Sequence, residues 1–283
     1  DHDVVVHMQN IRFISLWTMS LNPFRKFKLI HWGIGTSSSK GLDKESTIVR
    51  MVRNLVTMCS DALVLYSSFP KTKFPTSISR KVFVANNTVE SKLSVDCSNE
   101  SKDSFLFIGT LNKRKGLDIL IEVFSKYLLG QNRSFKKLNI IGDGPYKEDL
   151  KRLVHHYGLE SNVIFLGAMN NESEKLLFYR KAVCCISPKQ AGLSVLECFS
   201  FGVPFIAFQD AISGGEHLNI ENEINGFLIH SENELLEKMI FLDQNLGSAK
   251  KLGHAAFEHY SQKRSMELMV EEFCQAISFV LKK

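Results

Sequence analysis

An α/β protein built on parallel sheets is what this sequence predicts, and three features predict it. From Ser104 onward, short apolar runs alternate with amphipathic helical stretches, which is the pattern of βαβ units. Several of those runs end in glycine, at Gly109, Gly142 and Gly167, which places open loops at the strands' carboxyl ends, where open α/β sheets bind ligands. At 283 residues the chain is also long enough for two ordinary domains of about 150 residues.

Taken in order, Val4 to Val6, Leu29 to His31, Ala62 to Tyr66 and Val82 to Ala85 read as strands, with helical periodicity over Ser46 to Cys59. These are too few elements for a complete doubly wound domain, so they read as the second half of one. The polar stretch from Asn87 to Ser104 reads as a linker, and it divides the chain into expected domains at 1–95 and 96–283. Beyond it come strands at Phe105 to Ile108, Leu138 to Ile141, Val163 to Leu166, Ala182 to Ile186, Pro204 to Phe208 and Phe227 to Ile229. Helical segments separate them at Leu117 to Leu128, Tyr146 to Tyr157, Ser173 to Arg180 and Leu193 to Phe201. From about Glu232 the sequence reads as two or three helices, Phe257 to Leu281 being the longest, with the last free to pack back on the N-terminal domain.

The composition, 44% hydrophobic and 23% charged, is that of a globular protein with a sizeable core and argues against disorder. No apolar run reaches the roughly 20 residues that span a bilayer. The chain opens on Asp1 and not on Met, so its natural start is expected to lie upstream, and no leader is legible. The six cysteines form no Cys-x-x-Cys pair, which points to neither zinc nor a disulfide framework and makes a reducing cytoplasm the simpler expectation. A net charge of +5 permits acidic substrates, or a peripheral contact with an anionic membrane at its inner face.

Four stretches carry candidate chemistry. In Ser187 to Pro204, Gly192 lets the backbone approach a ligand, and the helix that follows offers amides without internal partners and the positive end of a dipole. Glu197 lies about one turn inside, placed to accept hydrogen bonds from hydroxyls of the same ligand; a diphosphate next to a ribose fits this pairing. A buried corner with Glu197 as a solvated charge is the alternative. In Phe107 to Gly116, the cations Lys113, Arg114 and Lys115 stand between a strand and a helix, where they neutralise a diphosphate or form an ordinary surface charge run. Gly142-Asp143-Gly144-Pro145 reads as a turn, and Gly214-Gly215-Glu216 with Asn225-Gly226 as a ligand-facing loop plus a turn, or as two turns.

In order, Gly-Thr-Leu-Asn-Lys-Arg-Lys-Gly, Gly-Asp-Gly-Pro, Val-Ile-Phe-Leu-Gly, Gly-Leu-Ser-Val-Leu-Glu, Gly-Val-Pro-Phe-Ile, Gly-Gly-Glu and Asn-Gly-Phe-Leu resemble the C-terminal domain of group 1, retaining glycosyltransferases of the GT-B fold. The resemblance runs from about Ser104 to about Ile229. It implies two Rossmann-like domains, here with an incomplete N-terminal one, a nucleotide-sugar donor held by the C-terminal domain, and a glycan or lipid-linked acceptor. It implies no metal, no cofactor and no nucleic acid. By the same resemblance Lys115, with Arg114 or Lys113, grips the donor diphosphate and the amides at Gly192 and Leu193 complete the grip. Glu197 binds the ribose hydroxyls, and Gly109, Thr110, Gly142, Gly144 and Met169 are further donor-site candidates.

Two departures bear on catalysis. The family's first Glu falls eight residues before Glu197, where this chain has Lys189, and that position faces the donor sugar. Where the family often has Arg after the strand glycine, this chain has Thr110. In the N-terminal part His31 is the candidate cleft histidine, and the family's glycine-rich loop near its start has no counterpart. The expectation is a retaining hexosyltransferase. Its rivals are a nucleotide-binding relative without catalysis and a nucleotide-sugar epimerase of the same fold.

Overall fold

The structure, a computed structural model, describes residues 3–36, 45–130 and 136–282. Packing divides the chain into two units. The first comprises Asp1–Thr88, Ile212–Gly215 and Arg264–Lys283, and the second Val89–Ala211 and Glu216–Lys263. The first crossing falls at 88/89, ahead of the 95/96 expected, because Val89 and Leu93 already pack against the core of the second unit.

In the first unit β1 (Val4–Met8), β2 (Lys28–Gly33), β3 (Ala62–Leu65) and β4 (Val82–Val84) form a four-stranded parallel sheet in sequence order. Helices α1 (Ile14–Leu21), α2 (Thr47–Met58) and α3 (Thr76–Ser79) lie between the strands. Helix α2 starts where Ser46 accepts a hydrogen bond from the Val49 amide, as an N-cap should. Side chains alternate across β3: Ala62 and Val64 join Ile30, Ala276 and Val280 on one face, while Leu63 and Leu65 join Phe74 and Ile78 on the other. Both faces are therefore covered, which explains why these strands read as continuous apolar runs. Helix α1 escaped the sequence reading, since Phe13 at its start caps nothing with its side chain and Ile14 and Leu21 are exposed.

The second unit is a six-stranded parallel sheet. Its elements are β5 (Ser104–Ile108), α4 (Leu117–Leu128), β6 (Lys137–Ile141), α5 (Lys147–His156), β7 (Val163–Gly167), α6 (Glu172–Lys181), β8 (Ala182–Ile186), α7 (Ser194–Phe199), β9 (Phe205–Phe208), β10 (Gly226–Ile229), α8 (Glu232–Gln244) and α9 (Leu246–Lys263). Spatially the strands run β7-β6-β5-β8-β9-β10, the doubly wound order, which reverses direction between β5 and β8. Phe105 and Phe107 of β5 enter one core with α4 and α8; Leu106 and Ile108 enter the other with α7 and α9.

The expected helix over Phe257 to Leu281 is corrected. It is two helices, α9 ending at Lys263 and α10 (Met266–Leu281) starting behind Ser265, whose extended backbone and hydroxyl, bonded to the Leu268 amide, form an N-cap. Helix α10 belongs to the first unit and packs on β2, β3 and β4, with Phe273 edge-on to Trp32. Helix α7 is also shorter than expected, six residues, because Gly202 at φ 63° turns the chain back toward β9. Among the described residues no helix is long and apolar enough to cross a membrane.

Candidate functional site

At the carboxyl ends of β7, β6 and β5 three glycines are stitched in series. The Gly142 amide donates to the Gly167 carbonyl at 2.7 Å, and the Gly109 amide donates to the Ile141 carbonyl at 3.0 Å. A Cβ on Gly142 would stand 1.9 Å from the Gly109 carbonyl oxygen, and one on Gly144 would stand 2.4 Å from that of Leu111. These two glycines thus let the β6 loop lie directly against the β5 loop. Their position beside the site comes from backbone packing.

The β5 loop ends in a single 3₁₀ turn, Lys113–Lys115, closed by Gly116 at φ 72°. This turn sorts the three cations: Lys113 and Arg114 are exposed, whereas Lys115 is buried at 9% exposure. The β8 loop meets it directly. The Lys189 amide donates to the Lys115 carbonyl at 3.2 Å, and the Lys189 stem lies where a Gly116 side chain would be, 3.0 Å from its position. The Lys115 ammonium is 3.5 Å from the Gln190 carbonyl, and Cβ atoms on Gly109 and Gly192 would stand 3.4 and 3.9 Å from it. The structure therefore brings Gly109, Lys115, Lys189 and Gly192 together at the point where the strand order reverses, the place where doubly wound sheets bind ligands.

Burial lowers the Lys115 pKa, and the neighbouring Arg114 charge adds to this, while Cys185 and the Glu216 carboxylate act in the opposite sense. A buried ammonium whose neutral acceptor is as distant as 3.5 Å is poorly compensated, so an anion placed beside it gains strongly. On the β5 and β8 loops and the start of α7, the Asn112 Oδ1, Gln190 Oε1 and Ser194 Oγ atoms are buried and unpartnered among the described residues.

Glu197, on α7, is held by an ion pair with Lys175 of α6, both side chains being mostly buried. Tyr179, one turn further along α6, lies beside Glu197 with its ring stacked on Phe201 at 4.3 Å; burial, then Cys198 and Glu197, drive its pKa upward. Lys175 is a residue that sequence reasoning missed, since a lysine in an amphipathic helix carries no motif. Ser194 and Gln190 sat within the motif but bore no signal of burial. Met169 is half-buried against the core after β7, Leu193 is exposed at the start of α7, and Thr110 is exposed on the β5 loop.

His31 is corrected. It lies within β2, paired in register with His7 and Leu63, and is 0% exposed, with Nε2 3.0 Å from the Ser20 hydroxyl. Burial, reinforced by the charges of His7, Lys81 and Arg25, lowers its pKa to about 3. It is thus buried and held neutral near pH 7 in its own unit, beside the Ser20 hydroxyl. Of the Gly-Gly-Glu stretch, Gly214 and Gly215 pack in the first unit, Gly215 against Ser67, and Glu216 opens the 3₁₀ turn Glu216–Asn219 in the second.

Comparison with known proteins bears on the whole arrangement. A glycosyltransferase of Haemophilus influenzae, itself uncharacterized, is 31% identical over 203 residues, covering 68% of this chain and 54% of that protein. The poly(ribitol-phosphate) alpha-N-acetylglucosaminyltransferase of Staphylococcus aureus is 29% identical over 161 residues, 56% of this chain and 32% of its own. The chain thus spans about half or less of the length of these relatives. Among solved structures, a Rickettsia africae glycosyltransferase superposes with a TM-score of 0.77 at 18% identity, covering 99% of this chain and 77% of its own. Anabaena HepE, solved in complex with UDP, gives 0.75 at 17% identity, covering 98% and 78%. Such likeness establishes the fold, that of the GT-B glycosyltransferases. The model of the family "Glycosyl transferases group 1" matches residues 93–259, more than half of the chain, from ahead of β5 into α9, so the chain belongs to the group 1 glycosyltransferase family.

Proposed function

We propose that this chain moves a sugar from a nucleotide-diphosphate sugar to a glycan or lipid-linked acceptor, with retention at the anomeric carbon and without a metal. The observation that carries the reading is the buried Lys115 ammonium between Gly109 and Gly192 at the strand-order reversal. In the reaction the acceptor hydroxyl oxygen bonds to the anomeric carbon on the face that the diphosphate leaves. The anomeric carbon–oxygen bond breaks with its electron pair going to the diphosphate, and a diphosphate oxygen takes the hydroxyl proton. Negative charge grows on the leaving group, and Lys115, already dehydrated and fixed, stabilises it without reorganising. Arg114 and Lys113 add exposed charge at the entrance, and the Gly192–Leu193 turn contributes backbone. Glu197, oriented by Lys175, accepts from the ribose hydroxyls, and Lys189 faces the sugar end. The work takes place in the cytoplasm, in peripheral contact with the anionic inner face of a membrane.

Calorimetric titration with UDP and GDP, followed by a donor-hydrolysis assay, tests the proposal. Lys115→Ala should weaken nucleotide binding at least tenfold, the loss of a charge-assisted contact, with the fold intact by circular dichroism. Unchanged binding in that variant would sink the assignment. UDP comes first because HepE is solved with it. A second reading, binding without turnover, is favoured by Lys189 where the resemblance places a glutamate; tight UDP binding with no donor consumed, with or without acceptor, would select it. Product formed from donor alone would instead identify an epimerase.

A further inference from the structure

Helices α1 and α2 cross the same face of the first unit's sheet, because β1, β2 and β3 lie side by side in sequence order and right-handed crossovers between them fall on one side. The two helices pack against each other there. Helix α1 turns Leu16 and Ser20 inward and leaves Ile14 and Leu21, two turns apart, on the outside. Helix α2 turns Arg53, Val56 and Thr57 inward and carries Ile48, Met51, Leu55 and Met58 outward, spaced as one stripe. Phe24, in the loop after α1, is 88% exposed, and each of the other six outward apolar residues is more than half exposed. A surface helix ordinarily buries such a stripe, and contiguous apolar surface left in water marks an interaction site.

The orientation of α2 is fixed by polar contacts on its inner side. The Thr57 hydroxyl accepts from Gln9 Nε2 at 2.7 Å and donates to the Arg53 carbonyl at 2.8 Å. Arg53 is paired with Glu45, and its guanidinium lies over the Phe74 ring at 5.6 Å. Turning the helix to bury Met51 and Leu55 would break these contacts, so the outward stripe is held in place by the unit's own interior. The far end of α2 is tied to the loop after α1: Arg25 donates to the Cys59 carbonyl at 3.0 Å and pairs with Asp61 at 2.8 Å. This holds the Phe24 loop at the end of α2 that carries Met58.

The charge around the stripe is of one sign. Arg12 ahead of α1, Lys26 after Phe24 and Arg50 on α2 are exposed. No carboxylate side chain occurs between Asp3 and Asp43 or within α2, and Glu45 and Asp61, which flank α2 along the chain, are taken up by Arg53 and Arg25. Across the first unit fifteen lysines and arginines stand against eight aspartates and glutamates, a net charge of +7, which leaves the second unit at −2 within the chain's +5. We infer that the α1–α2 face is a docking surface for an anionic lipid bilayer: the apolar stripes enter the acyl boundary, and Arg12, Lys26 and Arg50 lie at the level of the headgroup phosphates. An interfacial seat of this kind needs cations beside an apolar face and no spanning helix, and among the described residues no helix is long and apolar enough to span. The inference rests on the membrane contact proposed above, to which it gives a surface, and is independent of the donor site.

Flotation with unilamellar vesicles tests it, phosphatidylglycerol and phosphatidylcholine in equal parts against phosphatidylcholine alone. The wild-type chain should partition to the anionic vesicles about tenfold more strongly than to the neutral ones, and less as salt rises. Met51→Gln combined with Leu55→Gln, at exposed positions that leave the inner contacts of α2 in place, should lower the partition coefficient by about tenfold or more with an unchanged melting midpoint. Lys26→Gln combined with Arg50→Gln should remove most of the preference for anionic vesicles. Leu129→Gln, as exposed as Phe24 but in the second unit, should float as the wild type does. Flotation that the Met51 and Leu55 substitutions leave intact would keep the membrane contact and overturn this face as its site; no flotation of the wild type overturns both. Sedimentation velocity reads the rival occupant: self-association that the same two substitutions abolish, without vesicle binding, would make the face a contact between copies and overturn the lipid assignment. UDP titration of these variants should match the wild type, so an affinity lost together with vesicle binding would mark a damaged fold and not a docking face.

Discussion

Replacing Gly142 by alanine tests whether the β6 loop is as close to the β5 loop as the geometry requires. Two costs combine. The residue sits at φ 145°, and a non-glycine side chain in such a region costs on the order of 1–3 kcal/mol. The new Cβ would also stand 1.9 Å from the Gly109 carbonyl oxygen, an overlap with backbone that must be relieved by moving the loop, and overpacking of this kind costs about 1–3 kcal/mol. Together the loss is about 4 kcal/mol, and for a unit of this size each kcal/mol lowers the melting midpoint by about 2–4 °C. The midpoint of Gly142→Ala should therefore fall by about 8–16 °C by differential scanning calorimetry. The matched control is Gly158→Ala, at φ 65° with nothing within 4 Å of the added Cβ. It meets the backbone cost alone, about 1–2 kcal/mol, and should fall by less than half as much. The two variants also differ in function: displacement of the Gly109 carbonyl disturbs the Lys115 pocket and weakens UDP binding, whereas Gly158, at the far end of α5, leaves it unchanged. Equal melting shifts, or undisturbed UDP binding in Gly142→Ala below its melting point, would refute the reasoning.

The remaining expectations are independent of that loop. Lys175→Met leaves the mostly buried Glu197 carboxylate without its partner, so it should destabilise the chain by about 1–3 kcal/mol at pH 7, and adding Glu197→Gln should restore most of that stability without restoring UDP affinity; denaturant unfolding that shows no recovery in the double variant would count against the pair. Lys189→Glu should weaken UDP binding, with the deficit greatest at low salt, since the exposed cation acts through a screened field; an unchanged affinity and salt slope would make Lys189 an ordinary surface residue. His31 has a folded pKa of about 3, below its unfolded value of about 6.5, so its contribution is complete above pH 6.5 and is lost as pH falls toward 3. At pH 4 the loss amounts to about 3 kcal/mol, and His31→Gln should flatten the stability profile between those limits; parallel acid-unfolding curves for the two proteins would contradict it.

The strands from Ser104 onward were legible because a parallel strand covered on both faces is apolar throughout, and the glycines that end β5, β6 and β7 marked the loops where a ligand would sit. The helix boundary at Ser265 was harder, since the apolar periodicity of α9 runs on into α10 and a single capping serine separates them. The burial of His31 was not legible along the chain, because it is decided by β1 and β3 on either side of β2.

By itself the sequence determined the family, the strand and helix order of the second unit, and the residue types gathered at the two loops, because each depends on local periodicity and ordered spacing. The tertiary structure decided which members of those sets do different things. It buried Lys115 while leaving Lys113 and Arg114 in water, gave Glu197 a partner in Lys175, and joined His259 to Asn219 and Glu221 across some forty residues of chain. Burial, and the pairing of side chains from separate elements, are properties of the packed sheet and its helices, and no stretch of sequence contains them.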